Sequence, residues 1–326
     1  MTARILDFTK IKPFITDFKG RLGESATINR NNNTFLWVDI IKGEIHRVFL
    51  KGNKLNRSYE NHEIFIIPNE SIGVIHLTSN DDIVLLGANF GIAEFKFSTN
   101  SFKYLWKFDK LPEILQGQDY KLRSNDGNID PNGNIWQGLM GDFQYGQHDQ
   151  GKLVKIDTKT NQITVEIEKV FCPNGINWSQ NGETLYWASS KEGIIYKIPF
   201  DLINSTIGTK EPYIILNDWY PGEGDIIPDG HALTENNHIF SALWGHGSLA
   251  HFDETGTLVE KYKIPGINIT DVIFGDEDEI FITTANALPE DEKLIDGTLG
   301  GSIFRIVLEG GHKGIDRPVL KYPLIN

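Results

Sequence analysis

Four short polar phrases in the 326-residue sequence combine oxygen donors with flexible backbone. They are Gly-Glu-Ser at Gly23 to Ser25, Arg-Ser-Asn-Asp-Gly at Arg123 to Gly127, Pro-Asn-Gly at Pro173 to Gly175 and Pro-Asp-Gly at Pro228 to Gly230. Glu24, Asn125, Asn174 and Asp229 offer carboxylates and amide carbonyls, hard donors suited to Ca²⁺, Mg²⁺ or Mn²⁺, with Zn²⁺ less favoured where His and Cys are missing. Three such ligands leave coordination positions open. A divalent ion there could polarise a carbonyl and acidify a bound water while a carboxylate takes the proton. The sequence has no Cys-x-x-Cys, His-x-x-x-His or EF-hand loop, and no Gly-x-Ser-x-Gly elbow, P-loop or dinucleotide fingerprint. Water is therefore the expected nucleophile.

Arg123 lies two residues before Asn125, so on a strand both share a face and offer donors to substrate hydroxyls or to a developing carboxylate. His231 follows the Pro-Asp-Gly phrase and is a candidate pocket wall; His246, in Trp244-Gly-His-Gly, is a weaker candidate. Cys172, the single cysteine, ends an apolar run without cationic neighbours and reads as a packed thiol. Taken singly, Asn174-Gly175 and Asp229-Gly230 are good turn dipeptides, and Asp130-Pro-Asn-Gly and Gln180-Asn-Gly are hairpin turns. The chemical reading comes from the first two phrases occurring together, each ahead of an apolar strand.

The elements that would position these residues follow from the spacing. Separations of 101 (24 to 125), 49 (125 to 174) and 55 (174 to 229) residues read as two, one and one units of a repeat of roughly 40 to 50 residues, the length of a propeller blade. Strand and turn patterns support six units, the most regular being Gly175 to Ser179, Thr184 to Ala188 and Gly193 to Phe200 around the turn at Gln180 to Gly182. The expectation is an all-β, six-bladed β-propeller with four-stranded antiparallel blades, a single domain over residues 1–326. A sandwich or barrel would not carry such a repeat. In a propeller the first strand of each blade borders the central channel, so residues at one phase of the repeat gather at its mouth. Either Ile5 to Phe18 or Arg317 to Tyr322 could close the ring. Three longer stretches, Gly141 to Gln150, Trp219 to Ile227 and Ala285 to Thr298, could shape a pocket or lid.

A formal charge of −13 without any Lys/Arg cluster argues against nucleic acid. One cysteine excludes an intrachain disulfide and suits a reducing compartment. Met1 to Gly20 has no signal-peptide h-region and no transmembrane run is present, so the expectation is a cytoplasmic protein with no membrane partner. The oligomeric state is not legible.

Together the phrases resemble the regucalcin/gluconolactonase (senescence marker protein, lactonase-type) family of six-bladed propellers. The resemblance rests on Leu22-Gly-Glu-Ser, Leu36-Trp-Val-Asp-Ile, Arg123-Ser-Asn-Asp-Gly with Asp130-Pro-Asn-Gly, Pro173-Asn-Gly-Ile with Leu185-Tyr-Trp-Ala, Pro228-Asp-Gly and Gly300-Gly-Ser-Ile-Phe-Arg, in that order. It implies one divalent ion (Ca²⁺, Zn²⁺, Mg²⁺ or Mn²⁺) held by Glu24, Asn174 and Asp229, with Arg123 and Asn125 facing a small-molecule lactone. It also implies hydrolysis of a sugar-acid lactone such as gluconolactone, with Asp229 both touching the ion and assisting water. The chain departs from the family after Gly138-Leu-Met, where Gly141-Asp142-Phe143 and an added loop replace an acidic position, and at Ala188-Ser189, where Ala-Asp is familiar. An insertion with Trp219 and Tyr220 is a candidate roof for the pocket. Two alternatives stay open: hydrolysis of another ester or an organophosphate at the same site, and a non-catalytic metal-binding platform.

Overall fold

The computed structural model describes residues 3–108, 122–142, 149–286 and 299–324. Six small sheets follow one another along the chain and form a six-bladed β-propeller. The innermost strands are Gly23–Asn29, Val74–Thr78, Leu122–Ile129, Pro173–Trp178, Ile227–Leu233 and Asn268–Phe274. Each blade then runs outward through antiparallel neighbours. The second strands, among them Thr34–Asp39, Ile83–Ala88 and Ile135–Gly141, are buried along their whole length because both faces of every blade meet another blade. Six apolar clusters result, one at each junction. Leu36, Val38 and Ile45 of the first blade, for example, pack against Ile75, Leu86 and Phe95 of the second.

Among the described residues the first and third sheets have the four antiparallel strands expected, and the second, fourth and fifth have those four plus one more. Among the described residues the sixth has three strands, while the second and fifth gain a fifth strand from the chain termini. Arg4–Asp7 pairs in parallel with the outer strand Leu258–Lys263 of the fifth blade, and Val319–Leu320 pairs in parallel with the innermost strand of the second. Closure of the ring falls to the segment after Arg4–Asp7. Phe14 N–H donates to Ile303 O at 2.7 Å, Gly20 N–H donates to Gly301 O at 2.8 Å, and Leu22 bridges Ala285, joining the sixth blade to the first.

The expected hairpin turns at Asp130 to Gly133 and Gln180 to Gly182 are present, each closed by a backbone bond from the glycine, to Asp130 O and Ser179 O respectively. Pro173-Asn-Gly and Pro228-Asp-Gly are not turns. They lie inside inner strands, where the register slips between Asn174 and Ile176 and between Pro228 and His231. The same slip occurs between Glu24 and Thr27, Ser124 and Gly127, and Ile269 and Asp271, so five of the inner strands carry a bulge at one level of the channel. Bulges re-aim side chains. Gly175 has φ +40, and a Cβ there would lie 2.1 Å from Nδ1 of His231 in the next blade; at Gly230 a Cβ would meet Oδ1 of Asp271 at 2.2 Å. Glycine is needed at both places because a side chain of the following blade occupies the space.

Trp219 and Tyr220 do not roof the channel. Tyr220 is buried in the cluster between the fourth and fifth blades, edge-on to His246 at 4.9 Å, and Trp219 packs against the same cluster. The other two long stretches lie mostly outside the described residues, at 143–148 and 287–298.

Candidate metal centre and active site

Glu24, Asn125, Asn174 and Asp229 lie at or beside the bulges, near the start of their inner strands. A chain of hydrogen bonds crosses three blades there. Arg123 Nη1 donates to Asn125 Oδ1 at 3.1 Å, and Asn125 Nδ2 donates to Asn174 Oδ1 at 2.7 Å. Asn174 Nδ2 donates to Ser190 Oγ at 2.8 Å, whose hydroxyl donates to Pro228 O at 2.7 Å, beside Asp229. Arg123, Asn125, Asn174 and Asp229 are all buried, while Glu24 is half-buried. Arg123 and Asn125 share one face of their strand, as alternation requires. His231 is buried against Gly175, and among the described residues neither of its ring nitrogens has a hydrogen-bond partner.

Asp126 and Asp271 belong to the same electrostatic neighbourhood. Loss of solvation, then repulsion from Asp229, Asp271 and Asp126, holds Glu24 well above the ordinary carboxylate range. Asp229 is raised for the same reason, by burial first and then by Asp126 and Asp271. Burial pushes Asp271 up to about 7 even though Arg317 opposes it through a 2.9 Å salt bridge. Burial and the Arg317 charge push His231 down to about 3, so it is neutral near pH 7. Burial also lowers Arg123 to about 10, which leaves it protonated. The Cys172 thiol lies 3.4 Å from Asn174 Nδ2 and is pushed up to about 12, chiefly by burial. That is the packed thiol expected from its sequence context.

These residues fit a hard divalent ion. Among the described residues, four carboxyl groups (Glu24, Asp126, Asp229 and Asp271) share this neighbourhood with the two guanidinium groups of Arg123 and Arg317, an excess of acidic groups in a poorly solvated place that retains protons and could exchange them for a cation. The amide of Asn174 is fixed by Ser190, which turns its oxygen toward Asn125; that oxygen keeps a second lone pair after accepting one bond. Oxygen-only donors suit Ca²⁺, Mg²⁺ or Mn²⁺.

Ser190, Asp271, Arg317 and Asp142 were not singled out as site residues by sequence reasoning. Ser190 stands after a second strand, outside the inner-strand phase. Asp271 lies 42 residues after Asp229 (229 to 271), one repeat on, a signal that a strict phase count could have found. Arg317 comes from the C-terminal segment and has no repeat context. Asp142 attracts the Arg123 guanidinium electrostatically, partly offsetting the effect of burial on it.

Residues 22–286 match the family described as SMP-30/Gluconolactonase/LRE-like region. A Candida albicans protein named Cell growth-regulated gene 1 protein is 34% identical, over 93% of this chain and 95% of its own. A Haloferax volcanii pentonolactonase is 25% identical, over 90% of this chain and 92% of its own. Among solved structures, a calcium-binding protein, regucalcin, from Agrobacterium tumefaciens superposes with a TM-score of 0.80 at 22% identity, covering 97% of this chain and 99% of its own. With its ring of bulged inner strands and the family match across most of its length, the chain belongs to the SMP-30/gluconolactonase/LRE-like family.

Proposed function

We propose that this protein is a metal-dependent lactonase that opens a sugar-acid lactone to the hydroxy acid. The observation that supports the reading is the hydrogen-bonded path from Arg123 through Asn125 to Asn174, in the electrostatic neighbourhood of the buried carboxyl groups of Glu24 and Asp229. Glu24, Asn174 and Asp229 would hold the divalent ion. When bound, the ion supplies Lewis-acid polarisation of the ring carbonyl and lowers the pKa of water.

The protein's own groups supply the rest. Asp229, ionised once a cation offsets the burial and the Asp126 and Asp271 charges that otherwise keep it protonated, takes a proton from the attacking water. The water oxygen bonds to the carbonyl carbon, the ring acyl–oxygen bond breaks, and the proton passes to the departing ring oxygen. Arg123 donates to substrate oxygens, and Asn125, whose two amide hydrogens go to Asn174 and Pro173, joins it by exchanging the Pro173 bond for one to substrate, so that the pair orients the ring. Asp142, beside Arg123, offers an acceptor for sugar hydroxyls where the sequence departs from the family pattern. Support for a lactone comes from relatives named pentonolactonase, 6-deoxy-6-sulfogluconolactonase and L-arabinolactonase. The test is ring opening of aldonolactones with and without chelator, corrected for spontaneous hydrolysis. Ion-dependent turnover is expected, restored by adding back Ca²⁺ or Mn²⁺; equal rates in chelated and loaded protein would sink the reading.

A further inference from the structure

We infer that His238, His251 and His312 form a second metal site, suited to a divalent transition ion of the zinc class, at the opposite end of the fifth blade from the channel carboxylates. Asp229 sits near the start of the inner strand Ile227–Leu233, whereas His238 follows the turn at its far end. His251 pairs with Phe240, at the same far end of the next strand, and His312 arrives on the C-terminal segment. One ligand atom from each of the three lies within 4.8 Å of the others.

The hydrogen bonds around the rings fix which nitrogens are available. His238 Nε2 lies 3.0 Å from Glu254 Oε2, and His251 Nδ1 lies 3.2 Å from Glu260 Oε2. Glu260 is itself held by the Tyr262 hydroxyl and by Arg4 at 2.7 Å. A ring nitrogen facing a carboxylate carries the proton, so the other nitrogen presents its lone pair. Those other nitrogens, His238 Nδ1 and His251 Nε2, face each other at 2.9 Å. Two opposed lone pairs repel unless a positive centre lies between them. Carboxylate-oriented imidazoles of this kind are the arrangement that metal-ligating histidines adopt.

The third imidazole supports a metal over a lone bridging proton. The His312 ring centroid is 4.8 Å from that of His251, and the loop carrying it is pinned by Asp278, which accepts from His312 N–H at 2.7 Å and from Gly311 N–H at 3.1 Å. His251 is stacked on Phe240 at 4.2 Å and cannot turn freely. The His238 side chain is 23% exposed, giving an ion a way in. With metal–nitrogen bonds of about 2.0–2.1 Å, tetrahedral ligands stand about 3.3 Å apart, so the pair needs to open by only a few tenths of an ångström. Three imidazoles select Zn²⁺, Cu²⁺, Ni²⁺ or Co²⁺ over the hard cations of the channel. The first blade holds an instructive contrast. His46 Nδ1 faces His62 Nε2 at 3.1 Å with Glu44 and Asp17 behind them, but those rings are 0% and 5% exposed and no third imidazole joins them among the described residues.

The experiment is a Co²⁺ titration of full-length Asp229→Ala protein, in which the channel site has lost a carboxylate. Wild-type protein saturated with Ca²⁺ is the second format should that variant fold poorly. One equivalent of Co²⁺ with the visible absorption of a tetrahedral nitrogen-ligated ion is expected. His238→Ala and His312→Ala, both at part-exposed positions, should each weaken binding at least ten-fold and erase those bands while circular dichroism stays unchanged, and His62→Ala should leave them intact. Absence of saturable Co²⁺ binding in both formats, or bands that survive in the His238→Ala/His312→Ala double variant, would overturn the assignment whatever the fate of the lactonase reading.

Discussion

Asn125 links the residues proposed for the substrate side to those proposed for the ion side of the site. Its amide nitrogen donates to Asn174 Oδ1 and to Pro173 O at 3.0 Å, while its oxygen accepts from Arg123. Asn125→Ala should therefore raise KM for an aldonolactone by about ten-fold or more, through loss of its own bond to substrate and of the charge-assisted bond that holds Arg123, with a smaller effect on kcat. Asp229→Asn keeps the shape and removes the base, so kcat should fall by about 10²–10⁴. Initial-rate kinetics separate the two, and a kcat for Asp229→Asn within a few-fold of wild type would remove the proposed role of this carboxylate. Cys172 gives the opposite expectation despite touching Asn174. With its pKa near 12, only roughly one thiol in 10⁵ is ionised at pH 7, so Cys172→Ser should retain kcat/KM within about two-fold and iodoacetamide should not inactivate the enzyme. At this scale the sequence was readable where residues recur at blade phase, as Glu24, Asn174 and Asp229 do. Arg317 and Ser190 were not readable because each reaches the site from outside the repeat, and nothing in their immediate neighbours marks them.

The inner strands show why turn-like phrases gather on the channel. Asn-Gly and Asp-Gly favour left-handed backbone, which serves a hairpin at Gly133 and Gly182 but serves a bulge at Gly175. Local sequence cannot separate the two uses, since the difference lies in whether a neighbouring blade fills the space beside the glycine. That difference is measurable. Gly133 has φ +86, and nothing lies within 4 Å of the position a methyl group would take, so Gly133→Ala should cost about 1 kcal/mol, the left-handed strain alone. Gly175→Ala adds an overlap with the His231 ring, in a channel with little room to relax, and should cost about 2 kcal/mol more. Urea unfolding midpoints test the ranking, and equal losses would show that His231 swings aside. Blade number and most strands followed from periodicity, whereas the strand count per blade did not. The termini attach by edge pairing, as Arg4–Asp7 and Val319–Leu320 do, and such pairing depends on which edges remain open after the ring has formed.

Over the whole molecule, the channel's ionisable groups couple stability to pH in two opposing ways. Glu24, Asp229 and Asp271 have pKa values raised in the folded state, so the stability they contribute is fully present below about pH 4, where they are protonated in both states. That stability is lost as pH rises, through about 7 for Asp271, by up to about 1.4 kcal/mol per pH unit for each group. His76, buried on the inner strand Val74–Thr78 of the second blade, and His231, both pushed down to about 3 chiefly by burial, act in reverse: their contribution is present above about pH 6.5 and is lost as pH falls toward 3. A divalent ion among the carboxylates relieves only the first penalty, because it takes the place of the protons that Glu24 and Asp229 would otherwise keep. The gain in Tm on adding Ca²⁺ to chelated protein should accordingly be small at pH 5 and larger at pH 8, with each kcal/mol worth about 1–3 °C in a chain of this size. Thermal scans with and without the ion across that range test the coupling. A gain that does not change with pH would mean that the carboxylates are compensated without an ion, and Arg317, the only cation that forms a salt bridge with Asp271 among the described residues, would then be the group that compensates them.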